Sequence, residues 1–174
     1  GIIGPKMMQG YWKYYFEDGV ISTEKNFKDG KEHGVCKWYF ETGELKTREI
    51  WDEGVRIDCK IYYKSGVVQE QFSYDNGIVS YLVCFLESGK KKLEGGITMD
   101  NAGNMIKHGL TTWYGDYEEV LVVENYHNNI KEGLTKFYYS NGNLESEGNF
   151  KNGNPEGTWK EYNEDSSFRR IFKI

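Results

Sequence analysis

The residues most capable of chemistry are three histidines, His33, His108 and His127, which could bind a metal or move a proton near neutral pH. His33 and His108 each stand immediately before a glycine, where Glu132 and Glu156 precede equivalent glycines. This interchange favours a solvated loop position over a metal or acid–base site. His127 lies in "NYHNN", which predicts a turn, and no spacing of His and Cys matches a zinc site.

The three cysteines, Cys36, Cys59 and Cys84, fall at apolar positions of predicted strands, so they are expected to be small buried hydrophobic residues. Cys36 and Cys59 share a position in adjacent units, which places two strand spacings, ~9–10 Å, between them. That distance exceeds the ~7 Å limit for a disulfide. Reduced thiols slightly favour a cytoplasmic location, and no histidine is placed to activate a cysteine as a nucleophile.

Other signals of catalysis are weak. Glu17, Asp18, Glu41 and Glu87 flank predicted turns and recur with a fixed period, which favours solvated turn residues over paired catalytic acids. The glycines of "GGITMDNAG" precede no predicted helix that could cradle a phosphate. The sequence therefore predicts a protein that is not an enzyme and has no cofactor or metal. A deep cleft around 95–108 would reopen an enzymatic interpretation.

The elements that carry these residues are predicted to be β-strands. The chain of 174 residues is 16% aromatic, and its 21 Gly, mostly in Asp-Gly, Asn-Gly and Ser-Gly pairs, are typical of many tight turns. Its length predicts one domain, 1–174. The net charge of -5 disfavours a nucleic-acid partner, and no apolar stretch reaches the ~18 residues of a membrane span. A first residue other than Met is consistent with a removed leader or with a fragment, which keeps a secreted location open.

Glycines recur every 23 or 24 residues, as at Gly19, Gly43, Gly66 and Gly89. Each period reads as a glycine, an aromatic-rich strand, a turn glycine and a second strand that ends in another turn. Seven units are predicted, near residues 10–33, 34–56, 57–79, 80–108, 109–132, 133–156 and 157–174.

Alternating apolar residues predict that each unit is a β-hairpin. The positions three, five and seven residues before the turn glycine form an inward column: Trp12, Tyr14 and Phe16; Cys36, Trp38 and Phe40; Cys59, Ile61 and Tyr63; Leu82, Cys84 and Leu86. One hairpin buries too few large side chains to stand alone. The predicted fold is therefore an all-β, elongated, single-layer twisted antiparallel sheet of about seven tandem β-hairpin repeats.

Two units depart from the pattern. In the fourth, Gly89 and Gly109 are 20 positions apart where 15 would be regular, which predicts a bulge, a bend or a longer loop. The last unit lacks the turn glycine, but its Phe168, Ile171 and Ile174 keep the spacing of apolar residues after the turn. It is expected to complete and cap the array.

The stretch "GLTKFYYSNGNLESEGNFKNGNPEG" (133–157) resembles the MORN repeat (membrane occupation and recognition nexus), in the variant common in bacterial proteins. The resemblance covers roughly residues 10–165 and is weakest at 80–108. It implies a MORN-type hairpin array without catalytic residues. For function, it implies a scaffold, a lipid-associated module, or a bacterial protein with an antitoxin-like or immunity-like role.

The face opposite the inward column carries two further columns, which we call the Tyr–Lys strip. The fourth position before the turn is aromatic in every unit and the sixth is lysine in five, giving Tyr15, Tyr39, Tyr62, Phe85, Tyr114, Tyr138 and Tyr162 with Lys13, Lys37, Lys60, Lys136 and Lys160. One interpretation is structural, in which lysine stems and tyrosine rings cover a one-layer sheet. The other is a recognition surface, because tyrosine is favoured at interfaces.

These patterns predict a non-catalytic protein-binding module that presents the strip or a terminal edge strand to a partner. The family resemblance favours an antitoxin-like or immunity-like role within that class, in which an acidic protein occludes a toxin. The alternative is membrane-surface binding to anionic lipid, or a secreted or surface adhesion scaffold, which the lysine column suggests. An edge-strand homodimer is a further expectation.

Overall fold

The computed structural model describes residues 7–174, and every regular element in that range is a β-strand. The all-β prediction is therefore confirmed. A search of the same residues for a helix long and apolar enough to cross a membrane finds none. The chain divides into two compact units, the first ending at Val79 and the second beginning at Ser80. A single repeat domain over 1–174 stays a prediction.

The first unit is an antiparallel sheet in which strands that follow one another along the chain pair side by side. The pairing order is β1–β2–β4–β5–β6–β7, with the short β3 paired to β2. The strands are β1 Gly10–Tyr15, β2 Ile21–Lys28, β3 Lys31–Glu32, β4 Gly34–Tyr39, β5 Leu45–Asp52, β6 Val55–Tyr62 and β7 Val68–Asp75.

The second unit is built in the same way. Its pairing order is β8–β9–β10–β11–β13–β14–β15–β16, with the short β12 paired to β11. The strands are β8 Ile78–Phe85, which begins two residues before the second unit, β9 Lys91–Met99, β10 Met105–Tyr114, β11 Val120–His127, β12 Ile130–Lys131, β13 Gly133–Tyr138, β14 Leu144–Lys151, β15 Asn154–Tyr162 and β16 Phe168–Lys173.

The predicted repeat appears as hairpins β1/β2, β4/β5, β6/β7, β8/β9, β10/β11, β13/β14 and β15/β16. Each hairpin has a β-bulge at the same place, between the fifth and fourth positions before the turn, as at Tyr14 and Tyr15. A bulge increases the local twist and re-aims the neighbouring side chain. The aromatic residue of the Tyr–Lys strip therefore lies at a bulge in every hairpin.

The hairpin turns require a residue with left-handed backbone geometry. In the first turn, the Phe16 amide donates to the Val20 carbonyl at 2.8 Å, and Gly19 has a φ of 86°. Glu118 (φ 64°) and Ser166 (φ 67°) take this place in the hairpins β10/β11 and β15/β16. A side chain in this conformation costs about 1 kcal/mol, so the pairing of the flanking strands must offset the strain.

The irregular unit contains a bulge, which is one of the three alternatives that its extra residues predict. Strand β10 pairs with β9 at Lys107↔Ile97 and next at Thr111↔Gly95, so the register skips several residues of β10. A Cβ atom on Gly95 would lie 2.6 Å from the Leu110 carbonyl oxygen. This close approach restricts the position to glycine.

The core lies on the inward face of each sheet. The seventh position before the turn is buried in five hairpins, at Cys36, Cys59, Thr111, Thr135 and Trp159. The inward column is thus confirmed at Cys36 and Cys59, and the equivalent position is buried in three further hairpins.

The ends of the column differ from the prediction. Trp12 in the outermost strand β1 is 42% exposed. Strand β16 ends the pairing order, but Phe168, Ile171 and Ile174 are 57–62% exposed, so the predicted cap is wrong. These side chains are exposed because β16 pairs only with β15 and its faces are not covered within residues 7–174.

Candidate binding surface

The lysines of the Tyr–Lys strip are organised around carboxylates at the fifth position after the turn. Glu24 lies between Lys13 and Lys37, with both ammonium groups 3.7 Å from its carboxylate oxygens. In the second unit Glu147 lies between Lys136 and Lys160 at 3.7 and 3.5 Å. Each glutamate is the direct cross-strand neighbour of both lysines. Across these strands, lysine and glutamate side chains therefore alternate along the strip and form ion pairs.

The strip tyrosines donate hydrogen bonds to the same carboxylates. Tyr39 donates to Glu24 at 2.8 Å and Tyr162 donates to Glu147 at 3.4 Å. Tyr114 donates to Glu94, the equivalent carboxylate of the hairpin β8/β9. Burial and the hydrogen bond to Glu24 raise the pKa of Tyr39 to about 12. In every case the tyrosine belongs to the hairpin that follows the glutamate, so these bonds connect successive repeats.

The structure places the strip as a half-buried layer. Tyr15 is 58% exposed, and Lys13 and Lys160 are also exposed. The other strip residues are half-buried: Tyr39, Tyr62, Phe85, Tyr114, Tyr138, Tyr162, Lys37, Lys60 and Lys136. Glu24, Glu94 and Glu147 were not predicted as part of the strip, although glutamate recurs at the fifth position after the turn in the sequence.

One segment of the strip carries adjacent cations. Arg48 is the cross-strand neighbour of Lys37 on one side and of Lys60 on the other. Arg48 lies 3.5 Å from the Asp58 carboxylate. Within residues 7–174, no carboxylate lies at ion-pair distance from Lys60. This row is the most cationic part of the strip.

The inward face holds a buried carboxylate in the first unit, at the sixth position after the turn. Glu49 is 7% exposed and lies between Cys36 and Cys59 in register. It accepts a hydrogen bond from the Trp51 indole at 2.8 Å and pairs with the Arg56 guanidinium at 3.3 Å. We call this group, with Tyr74, the Glu49 cluster.

The second unit repeats this arrangement around Glu124, which is 4% exposed. Glu124 accepts hydrogen bonds from the Trp113 indole at 2.9 Å and the Tyr126 hydroxyl at 2.7 Å, and it pairs with Lys131. Burial opposes ionisation of Glu124, but the bonds from Lys131, Tyr126 and Trp113 outweigh it, so its pKa lies below the ordinary value of 4.5. We call these four residues the Glu124 cluster.

A family model described as the MORN repeat variant matches residues 8–29, 32–52, 58–76 and 131–152. Each matched segment coincides with one hairpin of the structure, including its turn and its bulge. The chain is a MORN repeat protein. MORN repeats are generally protein- or membrane-binding modules and are generally non-catalytic. A search of curated proteins finds no match to the chain.

The histidines of this MORN protein belong to neither of the two buried clusters. His33 lies in a loop, as predicted, with its Nδ1 atom 3.3 Å from Asp52. His108 and His127 are strand residues of β10 and β11 and not loop or turn residues, so that part of the prediction is wrong. Their rings pack 5.0 Å apart because the pairing of Gly109 with Tyr126 places the preceding residue, His108, opposite the following residue, His127. Residues 7–174 contain no group of His, Cys, Asp or Glu suited to a metal ion.

The cysteines are placed as predicted on the inward face. Cys36 and Cys59 are buried free thiols, and Cys84 is half-buried. Burial raises the pKa of Cys36, and burial raises the pKa of Cys59 to about 11. A protonated thiol is a poor nucleophile, so these two residues fit a packing role.

Proposed function

We propose that this MORN repeat protein is a non-catalytic binding module whose Tyr–Lys strip contacts an acidic surface of a partner protein. The observation that carries the proposal is the row formed by Lys37, Arg48 and Lys60, three cations that are neighbours across three strands. Lys37 and Arg48 each have a carboxylate nearby, and Lys60 has none at ion-pair distance within residues 7–174. Adjacent like charges on a sheet destabilise it. A partner that supplies carboxylates would relieve that repulsion.

The surroundings of this row suit recognition. Tyr39 and Tyr62 flank it and are half-buried, so each presents part of its ring to solvent. Tyr39 is held by its hydrogen bond to Glu24. An ordered aromatic side chain loses little entropy on binding, which favours affinity.

Within this class, the finer proposal is an immunity-like role in a bacterium, in which the protein covers a toxin. Its support is the family resemblance of residues 133–157 and the net charge of -5. A toxin with a mixed surface would present its carboxylates to the cationic row.

The second candidate is an anionic membrane surface, or an adhesion role at a cell surface, and the same cationic row favours it. Binding to anionic lipid amounts to about 1 kcal/mol per basic residue near the surface. The pairing of Lys13, Lys37, Lys136 and Lys160 with Glu24 and Glu147 leaves few unpaired cations for a broad lipid contact. We therefore place the protein partner first.

The test is affinity capture from the native host with the full chain as bait, followed by measurement of Kd for the purified partner. Lys60→Glu should weaken binding by about tenfold or more, since it places a negative charge against an acidic surface. Lys46→Glu is the matched control, because Lys46 is an exposed residue of β5 that lies over the Phe40 ring outside the strip. Equal effects of the two variants would contradict the proposed surface.

A parallel flotation assay with anionic vesicles separates the two candidates. Binding that is lost with Lys60→Glu and falls with salt would support the membrane candidate. A partner protein whose toxic activity is blocked on binding would support the immunity-like role, and a captured partner without such activity would contradict it.

A further inference from the structure

An open depression of about 650 Å³ lies on the second unit. Its lining includes Lys107, Tyr126, Asn129, Ile130, Lys131 and Asn152. Two of these six side chains are cations, and Tyr126 and Lys131 belong to the Glu124 cluster. The depression is thus joined to the buried charges beneath it.

The Lys107 ammonium is held between two aromatic rings. It lies 4.4 Å from the centre of the Trp113 ring and 4.7 Å from that of the Tyr126 ring. Cation–π contacts of this kind fix the position of the charge without neutralising it. Within the described residues 7–174, no carboxylate lies at ion-pair distance from Lys107, and Glu124 is paired with Lys131.

The repeat explains why Lys107 lacks a partner. Lys107 stands eleven residues before the turn residue Glu118, the same spacing that separates Lys131 from Gly142. Glu124 is the sixth residue after the turn that precedes Lys131, and Gly95 is the sixth residue after Gly89, the turn glycine of the hairpin that precedes Lys107. Gly95 therefore occupies the position where a carboxylate partner for Lys107 would stand. The bulge of β10 packs against Gly95 so closely that no larger side chain fits there. The fold therefore places Lys107 at this site and leaves no room at Gly95 for a carboxylate that would pair with it.

Counted over Lys107, Lys131 and Glu124, the site has one positive charge in excess, and a further carboxylate, that of Glu132, lies beside the lining residue Asn152, whose amide donates to it at 2.9 Å. Lys107 and Lys131 are positive and Glu124 is negative, whereas in the Glu49 cluster Arg56 and Glu49 balance. Burial lowers the pKa of Lys107, and the negative charge of Glu124 opposes that shift without reversing it. A monoanion in the depression would balance the charge and would favour the charged lysine.

We propose that this depression binds a small molecule through a carboxylate group that pairs with Lys107. The apolar body of the ligand contacts Ile130 and the Tyr126 ring. A single carboxylate matches the one lysine charge that lacks an ion-pair partner, and the Glu132 carboxylate beside Asn152 disfavours a doubly charged phosphate. The site lies on the face opposite the Tyr–Lys strip.

The test is an NMR titration of the full chain with benzoate, with benzyl alcohol as its uncharged analogue and inorganic phosphate as a second anion. We expect saturable shifts of the backbone amides of Lys107, Tyr126, Lys131 and Gly153, with a Kd on the order of millimolar. Benzyl alcohol and phosphate should each bind about tenfold more weakly than benzoate. Equal binding of benzyl alcohol, or tighter binding of phosphate, would overturn the proposal.

Two variants assign the effect to Lys107. Lys107→Met should weaken benzoate binding by about tenfold, while Lys107→Arg should retain binding because it keeps the charge. Lys90→Met is the matched control, since Lys90 also lies over an aromatic ring, that of Tyr117, but outside the depression. Unchanged benzoate binding in Lys107→Met, or an equal loss in Lys90→Met, would show general adsorption to lysines and reject the site. Should Lys107→Met fail to fold, a loss of binding in a folded Lys107→Arg would equally reject it.

Discussion

The Glu49 and Glu124 clusters occupy equivalent positions in two repeats, but they stabilise their buried carboxylates through different contacts. Each glutamate is the sixth residue after its turn and each cation is the thirteenth, so the hairpin brings them together. Arg56 stacks over the rings of Trp51 at 4.9 Å and Tyr74 at 5.7 Å. Lys131 instead lies 5.2 Å from the Phe150 ring, and Glu124 accepts two further hydrogen bonds.

The difference shows that the repeat specifies which two positions face each other and does not specify the residue types at those positions. In the hairpin β1/β2 the same pair is reversed, with Lys25 at the sixth position and Glu32 at the thirteenth, 2.6 Å apart. In the third repeat both positions are apolar and buried, as Phe72 and Val79. A buried ion pair and an apolar pair are thus alternative ways to complete one MORN hairpin.

Removal of the cation from either cluster should have the largest effect on the free energy of unfolding. Lys131→Met and Arg56→Met each leave a buried carboxylate without its counter-charge, which should lower the free energy of unfolding by about 3 kcal/mol or more. Chemical denaturation of the full chain measures the change. The control is Glu49→Phe combined with Arg56→Val, which copies the Phe72 and Val79 pair and should recover most of the loss. A double variant as unstable as Arg56→Met would contradict the equivalence of the two pairs.

Replacement of arginine by lysine in one cluster, and of lysine by arginine in the other, should have a smaller effect on the free energy of unfolding. The two effects should also differ in size. Arg56→Lys loses the planar contacts with the Trp51 and Tyr74 rings and the 3.2 Å hydrogen bond to the Tyr74 hydroxyl. Its free energy of unfolding should fall by about 1 kcal/mol. Lys131→Arg keeps the charge beside Glu124 and loses no stacked contact, so its cost should be lower in the same denaturation experiment. A larger cost for Lys131→Arg would show that steric fit decides the choice of cation.

The pH dependence should give the smallest effect. The pKa of Glu124 is below 4.5 in the folded protein, so its contribution to stability is present above the unfolded pKa and is lost as pH falls through the folded pKa. The stability difference between the wild type and Glu124→Gln should therefore shrink between about pH 6 and pH 3. Denaturation curves at several pH values test this. A difference that stays constant would show that Glu124 is not ionised in the folded state.

The hairpin fold could be predicted from sequence because its signals are local. A left-handed turn residue every 23 or 24 positions and the alternation of apolar side chains both act within a few residues of one another. The sequence also predicts that Tyr39 and Lys37 share a face, since they are two residues apart. It does not predict that Glu24 joins them, because that contact depends on how one hairpin pairs with the next.

The sequence by itself determined the repeat, the two faces of the sheet and the presence of an irregularity in the fourth unit. Only the tertiary structure decided which side chains meet, such as Glu24 with both Lys13 and Lys37, and Lys107 with Trp113 and Tyr126. The physical reason is that ion pairs and cation–π contacts need distances of a few ångströms across different strands. Those distances are set by the register between strands, which the bulges shift, and not by spacing along the chain.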